Sequence, residues 1–231
     1  MRYSLSLIAI ALFTMTAAAQ DHSNTLTADE AKDGWKLLFD GKTTDGWRLY
    51  KGKDAGKWTV ENGILVSGGG DLMTKDKYAN FIVSVDWKFT KGNNSGIIFR
   101  VAELGGASWN TGPEMQVMTH GPKDKPGKTG GGSLYDIFAP STNALKPASD
   151  WNTFKILLNG NHIEQYVNGV KVVETDIGSD EWNKAIEKSK WKGSKLFASQ
   201  PTGHIALQDH GGQCLFRNIK IKVLPDSASK K

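Results

Sequence analysis

Residues 81–90, FIVSVDWKFT, restrict the fold of this chain more than any other segment, because apolar side chains recur at every second position. The apolar residues are Phe81, Val83, Val85, Trp87 and Phe89. Successive side chains of a β-strand point to opposite faces, so a period of two is typical of a strand with one buried and one solvated face. The segment therefore predicts an antiparallel sheet that covers a core on one side.

Short segments with strand character follow one another along the chain, and tight-turn dipeptides separate them. Asn-Gly pairs stand at 62–63, 159–160 and 168–169, and this dipeptide supplies the positive φ values of a two-residue hairpin turn. Helix signals are confined to a capping-box pattern at 27–30 and a stretch at 179–190 that starts with a serine N-cap. The sequence predicts an all-β fold, a two-sheet sandwich with one or two short surface helices.

The N-terminal residues 1–20 have the pattern of a secretory signal, with Arg2, a mostly apolar run and then small alanines. The apolar run is too short for a comfortable membrane span, and no second run follows. We therefore expect a soluble exported protein, periplasmic or secreted, without a membrane span. A polar lead-in at 21–32, a single domain at 33–224 and a disordered tail at 225–231 complete the predicted organisation.

Charge and composition restrict the classes of molecule that the protein can bind. The formal net charge is +5 at pH 7, but the basic residues are scattered and form no stripe interleaved with aromatics, so we do not expect nucleic-acid binding. Cys214 is the only cysteine, which excludes a disulfide within the chain and predicts a core residue. The eight tryptophans fit either a well-filled core or flat platforms for sugar rings.

The most unusual polar residues lie in the segment 93–119, which is predicted to form two strands joined by a Gly-rich loop. Glu114 and Gln116 stand two residues apart and so share one strand face, while Arg100 ends the preceding strand. An acid and an amide on an otherwise apolar strand indicate either a solvated outer face or a ligand groove. The long loop predicted at 120–133 is typical of a functional loop.

Several segments, in this order along the chain, resemble one known family. They are GWKLLFDGKTTDGWR (34–48), WTVENGIL (58–65), NSGIIFR (94–100), PEMQV (113–117), WNTFKI (151–156), YVNGVKVVE (166–174), GHIALQDHG (203–211) and FRNIKI (216–221). On these segments the chain resembles the 3-keto-disaccharide hydrolase family over residues 33–223. The resemblance implies a concanavalin-like jelly roll with a sugar-binding concave face. It also implies activity as a 3-keto-glucoside 1,2-lyase, a 3-keto-2-hydroxyglucal hydratase or both.

The strand around Glu114 carries too few acids for an ordinary retaining glycosidase. Sandwich glucanases look like E-x-D-x-E or E-x-D-x-x-E on one strand, and a retaining pair stands about 5–5.5 Å apart. Here the later positions are Gln116, Met118 and Thr119, so the strand offers one carboxylate. A ketone at C3 acidifies the proton on C2, and a single base then suffices for elimination of the C1 substituent.

The hypothesis assigns Glu114 as the base, His210 as the acid or proton shuttle, and Arg100 as the cation that stabilises the enolate or orients Glu114. The residues assigned to substrate binding are Trp109, Gln116, Tyr135, Asp136 and Gln208. Structural alternatives are an Arg100–Glu114 ion pair and a simple turn around His210. No cofactor is firmly predicted, but a divalent metal held by Glu114, His120, Asp136 and His210 stays open.

Two other functions compete with the lyase and hydratase hypothesis. A non-catalytic, lectin-like carbohydrate-binding module would keep the fold and the tryptophan faces without the chemistry of Glu114. An ordinary glycoside hydrolase would need a second carboxylate. The single Glu114 with a cation and an amide nearby favours the enzyme that acts on 3-keto sugars.

Overall fold

The computed structural model describes residues 23–119, 124–147 and 149–226. The predicted signal segment, His120 and most of the predicted tail lie outside the described residues. Export therefore stays a prediction from the sequence. No helix within the described ranges has the length and the apolar character that crossing a membrane requires.

The described chain folds into two antiparallel sheets that face each other. The strands are β1 (Trp35–Leu37), β2 (Trp47–Leu49), β3 (Thr59–Glu61), β4 (Ile64–Val66), β5 (Leu72–Thr74), β6 (Phe81–Lys91), β7 (Asn94–Val101), β8 (Glu114–Met118), β9 (Asn152–Asn159), β10 (His162–Val167), β11 (Val170–Asp176), β12 (His204–Leu207) and β13 (Gln213–Val223). The larger sheet has the order β11-β10-β9-β6-β13-β4-β3, with β1 also paired to β13, and the smaller sheet has the order β2-β5-β12-β7-β8. The predicted jelly-roll β-sandwich is confirmed.

The alternating segment that predicted the sheet forms β6 in the middle of the larger sheet. Phe81, Val83, Val85 and Trp87 are fully buried and Phe89 is nearly so. They pack into one core with the inward side chains of the smaller sheet. Cys214 is also buried in this core, as predicted. Burial of apolar area at about 25 cal/mol per Å² makes this shared interior the main stabilising element of the sandwich.

Two short helices accompany the sheets, α1 (Ala28–Lys32) and α2 (Asp180–Ile186). Helix α2 begins after Ser179, whose Oγ accepts a hydrogen bond from the backbone N–H of Trp182 (3.1 Å). The helix ends four residues earlier than predicted, because Ser189 donates hydrogen bonds from its N–H (3.0 Å) and its Oγ (2.9 Å) to the carbonyl of Ile186. This tight turn brings Lys190 into a cavity on the smaller sheet.

Part of the loop predicted after β8 continues the smaller sheet. Residues 131–135 run beside β8, and the backbone N–H of Gln116 donates to the carbonyl of Ser133 (3.0 Å). The N–H of Tyr135 donates to the carbonyl of Glu114 (2.9 Å). The segment therefore covers the edge of β8 and brings the Tyr135 side chain next to Glu114.

A β-bulge near the end of β7 changes the face on which its last side chains lie. Ile98 pairs with Ala206 and Val101 pairs with His204, so three steps along β7 match two steps along β12. Arg100 has a φ of 56° at this bulge. One extra residue reverses the faces of the side chains that follow, and Val101 packs with Ile98 on the outer face. Arg100 therefore does not share a face with Glu114.

Candidate active site

The outer face of the smaller sheet holds a cavity of about 170 Å³. Its lining residues come from β7, β8 and four connecting segments, and they are Asn94, Trp109, Glu114, Gln116, Tyr135, Lys190, Gln208 and His210. Six of the eight residues predicted from the sequence meet here. The alternation of β8 explains the geometry, because Met115 and Val117 fill the core and the residues between them face the cavity.

Glu114 is only 5% exposed, so its strand face is not a solvated one. Burial, the largest effect, raises the pKa of its carboxyl to about 8. The charge of Lys190 opposes this rise in pKa, and the charge of Asp71 adds to it. Gly96 lies directly beside it on β7, where an added Cβ would stand 2.3 Å from Glu114 Oε1. A glycine is therefore required next to the carboxyl, and a carboxyl with this pKa can exchange a proton near neutral pH.

Gln116 is fully buried and only partly hydrogen-bonded. Its Nε2 donates to Asn94 Oδ1 (2.8 Å), while its Oε1 has no hydrogen-bond partner among the described residues. A buried polar atom without a partner costs about 1–3 kcal/mol. A hydroxyl group that enters the cavity can donate to this oxygen and recover that energy.

Lys190 supplies a cation that the sequence reasoning did not find. Its Nζ lies over three aromatic rings, 4.3 Å from the ring centroid of Tyr135, 4.5 Å from that of Trp191 and 5.0 Å from that of Trp109. Burial lowers the pKa of this ammonium, and the nearby carboxylates of Glu114 and Asp136 oppose that effect. Lys190 stands 76 positions after Glu114, and no local pattern links the two residues in the sequence.

Asp136 anchors the loop that carries Lys190. Its Oδ2 accepts a hydrogen bond from the backbone N–H of Lys190 (2.7 Å), and it does not line the cavity. The prediction that Asp136 binds substrate is therefore corrected: it holds the lysine segment against the turn that follows residues 131–135. Asp136 and Tyr135 were both predicted because they follow the long loop, but the chain turns at Asp136, where φ is 60°.

Asp71 joins the two loops that bring Trp109 and His210 to the cavity. Its Oδ2 accepts a hydrogen bond from the hydroxyl of Ser108, and its Oδ1 accepts one from the backbone N–H of Asp209 (3.2 Å). Burial raises the pKa of Asp71. Asp71 was not predicted from the sequence, because it follows the glycines 68–70 that end a hairpin. No motif at this position indicates its role.

Arg100 lies away from the cavity, which corrects its predicted role beside Glu114. Its Nη2 donates hydrogen bonds to the carbonyl of Gly160 (2.6 Å) and to Asn161 Oδ1 (3.3 Å), in the turn between β9 and β10. Because Arg100 bonds to this turn, it forms no ion pair with Glu114 among the described residues. The alternative prediction of a structural Arg100–Glu114 ion pair is therefore also wrong. The guanidinium ties one end of the smaller sheet to the larger sheet.

The proposed metal ligands do not come together within the described part of the chain. Asp136 bonds to the lysine segment, and His120 falls outside the described residues, so Glu114 and His210 alone remain from that set. A separate trio of His162, Glu164 and Glu174 lies on the larger sheet with ligand atoms within 4.8 Å of one another. These side chains are already engaged in a surface network with Lys171, Tyr166 and Asp176.

The fold and the site together define a carbohydrate-active protein, with a polar cavity on a β-sandwich that combines a buried carboxyl, an ammonium and aromatic rings. The profile of the 3-keto-alpha-glucoside-1,2-lyase-like domain matches residues 34–222. The chain belongs to this family, and it is an enzyme of the glycosidic-bond hydrolase type.

The similar proteins agree with this assignment. A 3-keto-disaccharide hydrolase of Bacteroides thetaiotaomicron is 32% identical over 255 residues, which span 94% of this chain and 87% of the relative. A crystal structure of a candidate glycosyl hydrolase from Parabacteroides distasonis has a TM-score of 0.81 at 32% identity, covering 88% of this chain and 100% of that one. A second structure from the same organism, also a candidate glycosyl hydrolase, has a TM-score of 0.63 at 27% identity, covering 82% and 99%.

Replacement of Arg100 tests its structural role. We expect Arg100→Ala to lower the free energy of unfolding by about 1–3 kcal/mol, because the carbonyl of Gly160 loses a hydrogen bond from a charged donor. Catalytic rates at 25 °C should stay within twofold of the wild type. Urea unfolding measures the free energy of unfolding, and steady-state kinetics measure the catalytic rates. Lys192→Ala is the control, since its exposed ion pair with Glu187 contributes less than about 1 kcal/mol. A large loss of activity at unchanged stability would show that Arg100 acts in the active site and would contradict its structural role.

Proposed function

We propose that the protein cleaves 3-keto-glucosides, including 3-keto-disaccharides, by elimination followed by hydration, with net hydrolysis of the glycosidic bond. The observation that carries this proposal is that Glu114 is the only carboxyl among the described residues lining the cavity, with a pKa of about 8. A glycosidase of the usual kind needs two carboxyl groups that flank the scissile bond. Elimination from a 3-keto sugar needs one base.

Asp71 is a further acid whose charge acts on Glu114, and its bonding argues against a role as the second catalytic carboxyl. Both of its oxygens accept hydrogen bonds from the loops that it joins. Its charge acts on Glu114 by raising the pKa of that carboxyl. It therefore helps to keep Glu114 basic enough to take a proton from a carbon acid.

In the first half-reaction, the Glu114 carboxylate takes the proton from C2. The electron pair of the C2–H bond forms an enolate across C2 and C3, and its collapse expels the oxygen on C1. The Lys190 ammonium gives a proton to that leaving oxygen, and His210 donates a hydrogen bond to the oxygen on C3 while it carries negative charge. The products are a free alcohol and a 3-keto-2-hydroxyglucal.

The second half-reaction uses the same groups in reverse. Water adds to C1, the Lys190 amine takes a proton from that water, and protonated Glu114 returns a proton to C2. Gln116 Oε1 accepts a hydrogen bond from a sugar hydroxyl throughout, and Gln208 offers its amide to another. The enzyme regains its starting protonation state, and the sum is hydrolysis to a 3-keto-glucose and the alcohol.

The direct experiment compares a 3-keto-glucoside with its unoxidised parent and follows release of the alcohol. We expect release from the keto form alone, because only the ketone acidifies the C2 proton. In D₂O the recovered 3-keto-glucose should carry deuterium at C2. Equal release from both substrates would support an ordinary glycoside hydrolase. Saturable binding without release from either would support a lectin-like module.

A further inference from the structure

A second cavity, of about 380 Å³, lies directly beside the first. Its lining residues come from the loop after β7 and the segment after α2, and they are Gly105, Gly106, Trp109, Asn110, Lys190, Trp191, Ser194 and Leu196. Trp109 and Lys190 line both cavities. The two spaces are therefore neighbours across a shared wall, and the Lys190 ammonium stands in that wall.

The two cavities differ in chemical character. The first is mainly polar and the second mainly apolar. In the second, Trp109 is 37% exposed and Leu196 is 38% exposed, so both offer apolar surface to a ligand. The ring of Trp191 stacks on Phe197 with centroids 4.1 Å apart and planes at 9°, and this contact holds it in place. The result is a rigid aromatic wall beside the catalytic cavity.

Two polar atoms of the second cavity already accept hydrogen bonds, while the buried Nε1 of Trp191 has no partner among the described residues. Asn110 Oδ1 accepts a hydrogen bond from the backbone N–H of Ala107 (2.8 Å), and Ser194 Oγ accepts one from the N–H of Phe197 (3.2 Å). A second sugar ring carries several hydroxyls that lose water on binding and need new hydrogen bonds. An aromatic ring has no such requirement and gains from stacking on tryptophan.

We propose that the second cavity is the subsite for the leaving group and that it favours an aglycone with an aromatic ring. This inference rests on the proposed function, because it takes the sugar ring to lie against Glu114. A bond that joins groups in the two cavities passes the shared wall, where Lys190 can protonate the leaving oxygen. Lys190 then has two roles: it protonates the leaving oxygen, and it separates the two subsites.

Binding of two inert glucosides tests the subsite without any reaction. Benzyl glucoside and methyl glucoside of the same anomer share the sugar ring and differ in the aromatic group. We expect benzyl glucoside to bind about tenfold more tightly in titration calorimetry, since one face of the ring becomes covered. Leu196→Asn should weaken benzyl glucoside about threefold and leave methyl glucoside unchanged. Leu104→Asn is the matched control, because Leu104 is 58% exposed and lines neither cavity.

The outcomes separate the two proposals. Equal affinity for the two glucosides, or no binding of either at millimolar concentration, overturns the subsite. A loss of affinity for both glucosides in Leu196→Asn also overturns it. A clear preference for benzyl glucoside with no turnover of any 3-keto-glucoside leaves the aromatic pocket in place and removes the proposed function. Turnover of a 3-keto-glucoside without a preference for benzyl glucoside supports the proposed function and overturns the aromatic subsite.

Discussion

Replacing Glu114 with glutamine is expected to lower kcat on a 3-keto-glucoside by about two to four orders of magnitude. The amide has nearly the same shape as the carboxyl but cannot accept the C2 proton. In the wild-type enzyme, kcat/KM should fall about tenfold per pH unit below a midpoint near pH 8, because the base must be ionised and its pKa is about 8. Steady-state kinetics of both proteins between pH 5 and pH 10 measure these effects.

The control for this experiment is Glu187→Gln, which makes the same chemical change at an exposed position that lines neither cavity. Its kcat and pH profile should match those of the wild type. An unchanged rate in Glu114→Gln would remove Glu114 from the mechanism. An acidic limb near pH 4.5 would show that the carboxyl does not have the raised pKa that its burial predicts.

The same substitution is expected to stabilise the protein at alkaline pH. Below about pH 4.5 the Glu114 carboxyl is protonated in both the folded and the unfolded chain. Between pH 4.5 and pH 8 the unfolded chain releases this proton and the folded chain keeps it, so stability falls by about 1.4 kcal/mol per pH unit. Above pH 8 the loss is complete. Glutamine removes this proton linkage.

Urea unfolding at pH 5, 7 and 9 measures the difference between Glu114→Gln and the wild type. The advantage of the variant should grow with pH and reach about 3–5 kcal/mol at pH 9. Glu187→Gln should show no such growth. A constant difference across this range would mean that the folded state does not hold the Glu114 proton more tightly than the unfolded chain does. Burial of an ionisable carboxyl at this position is therefore expected to lower the stability of the wild-type protein at alkaline pH.

Much of the fold was predictable from local patterns. The alternation in residues 81–90 predicted β6 and the face that it buries, because a strand repeats every two residues whatever surrounds it. The capping box at Thr27 was predicted, since its reciprocal hydrogen bonds with Glu30 join residues three apart. The end of α2 was not, because the serine turn at Ser189 competes with helix continuation and its outcome depends on packing.

Strand alternation predicted the two site residues on β8, while Trp109, Tyr135, Gln208 and His210 were predicted from their places in loops and turns. Glu114 and Gln116 lie two residues apart on one strand, so their common face followed from the sequence. Arg100 was misplaced because a bulge inserts one residue into β7, and a shift of one residue turns a side chain to the opposite face. Nothing in the residues near Arg100 marks that bulge unambiguously.

The sequence by itself determined the strand pattern and the single carboxyl on β8, since both depend on residues that are close in the chain, and the order of its segments indicated the family. Only the tertiary structure decided which cation and which second acid stand near that base. Lys190 and Asp71 reach Glu114 through a turn after α2 and through two cross-linked loops. Such contacts depend on how the sheets and loops pack in space. The spacing of two residues in the sequence carries no information about the distance between their side chains.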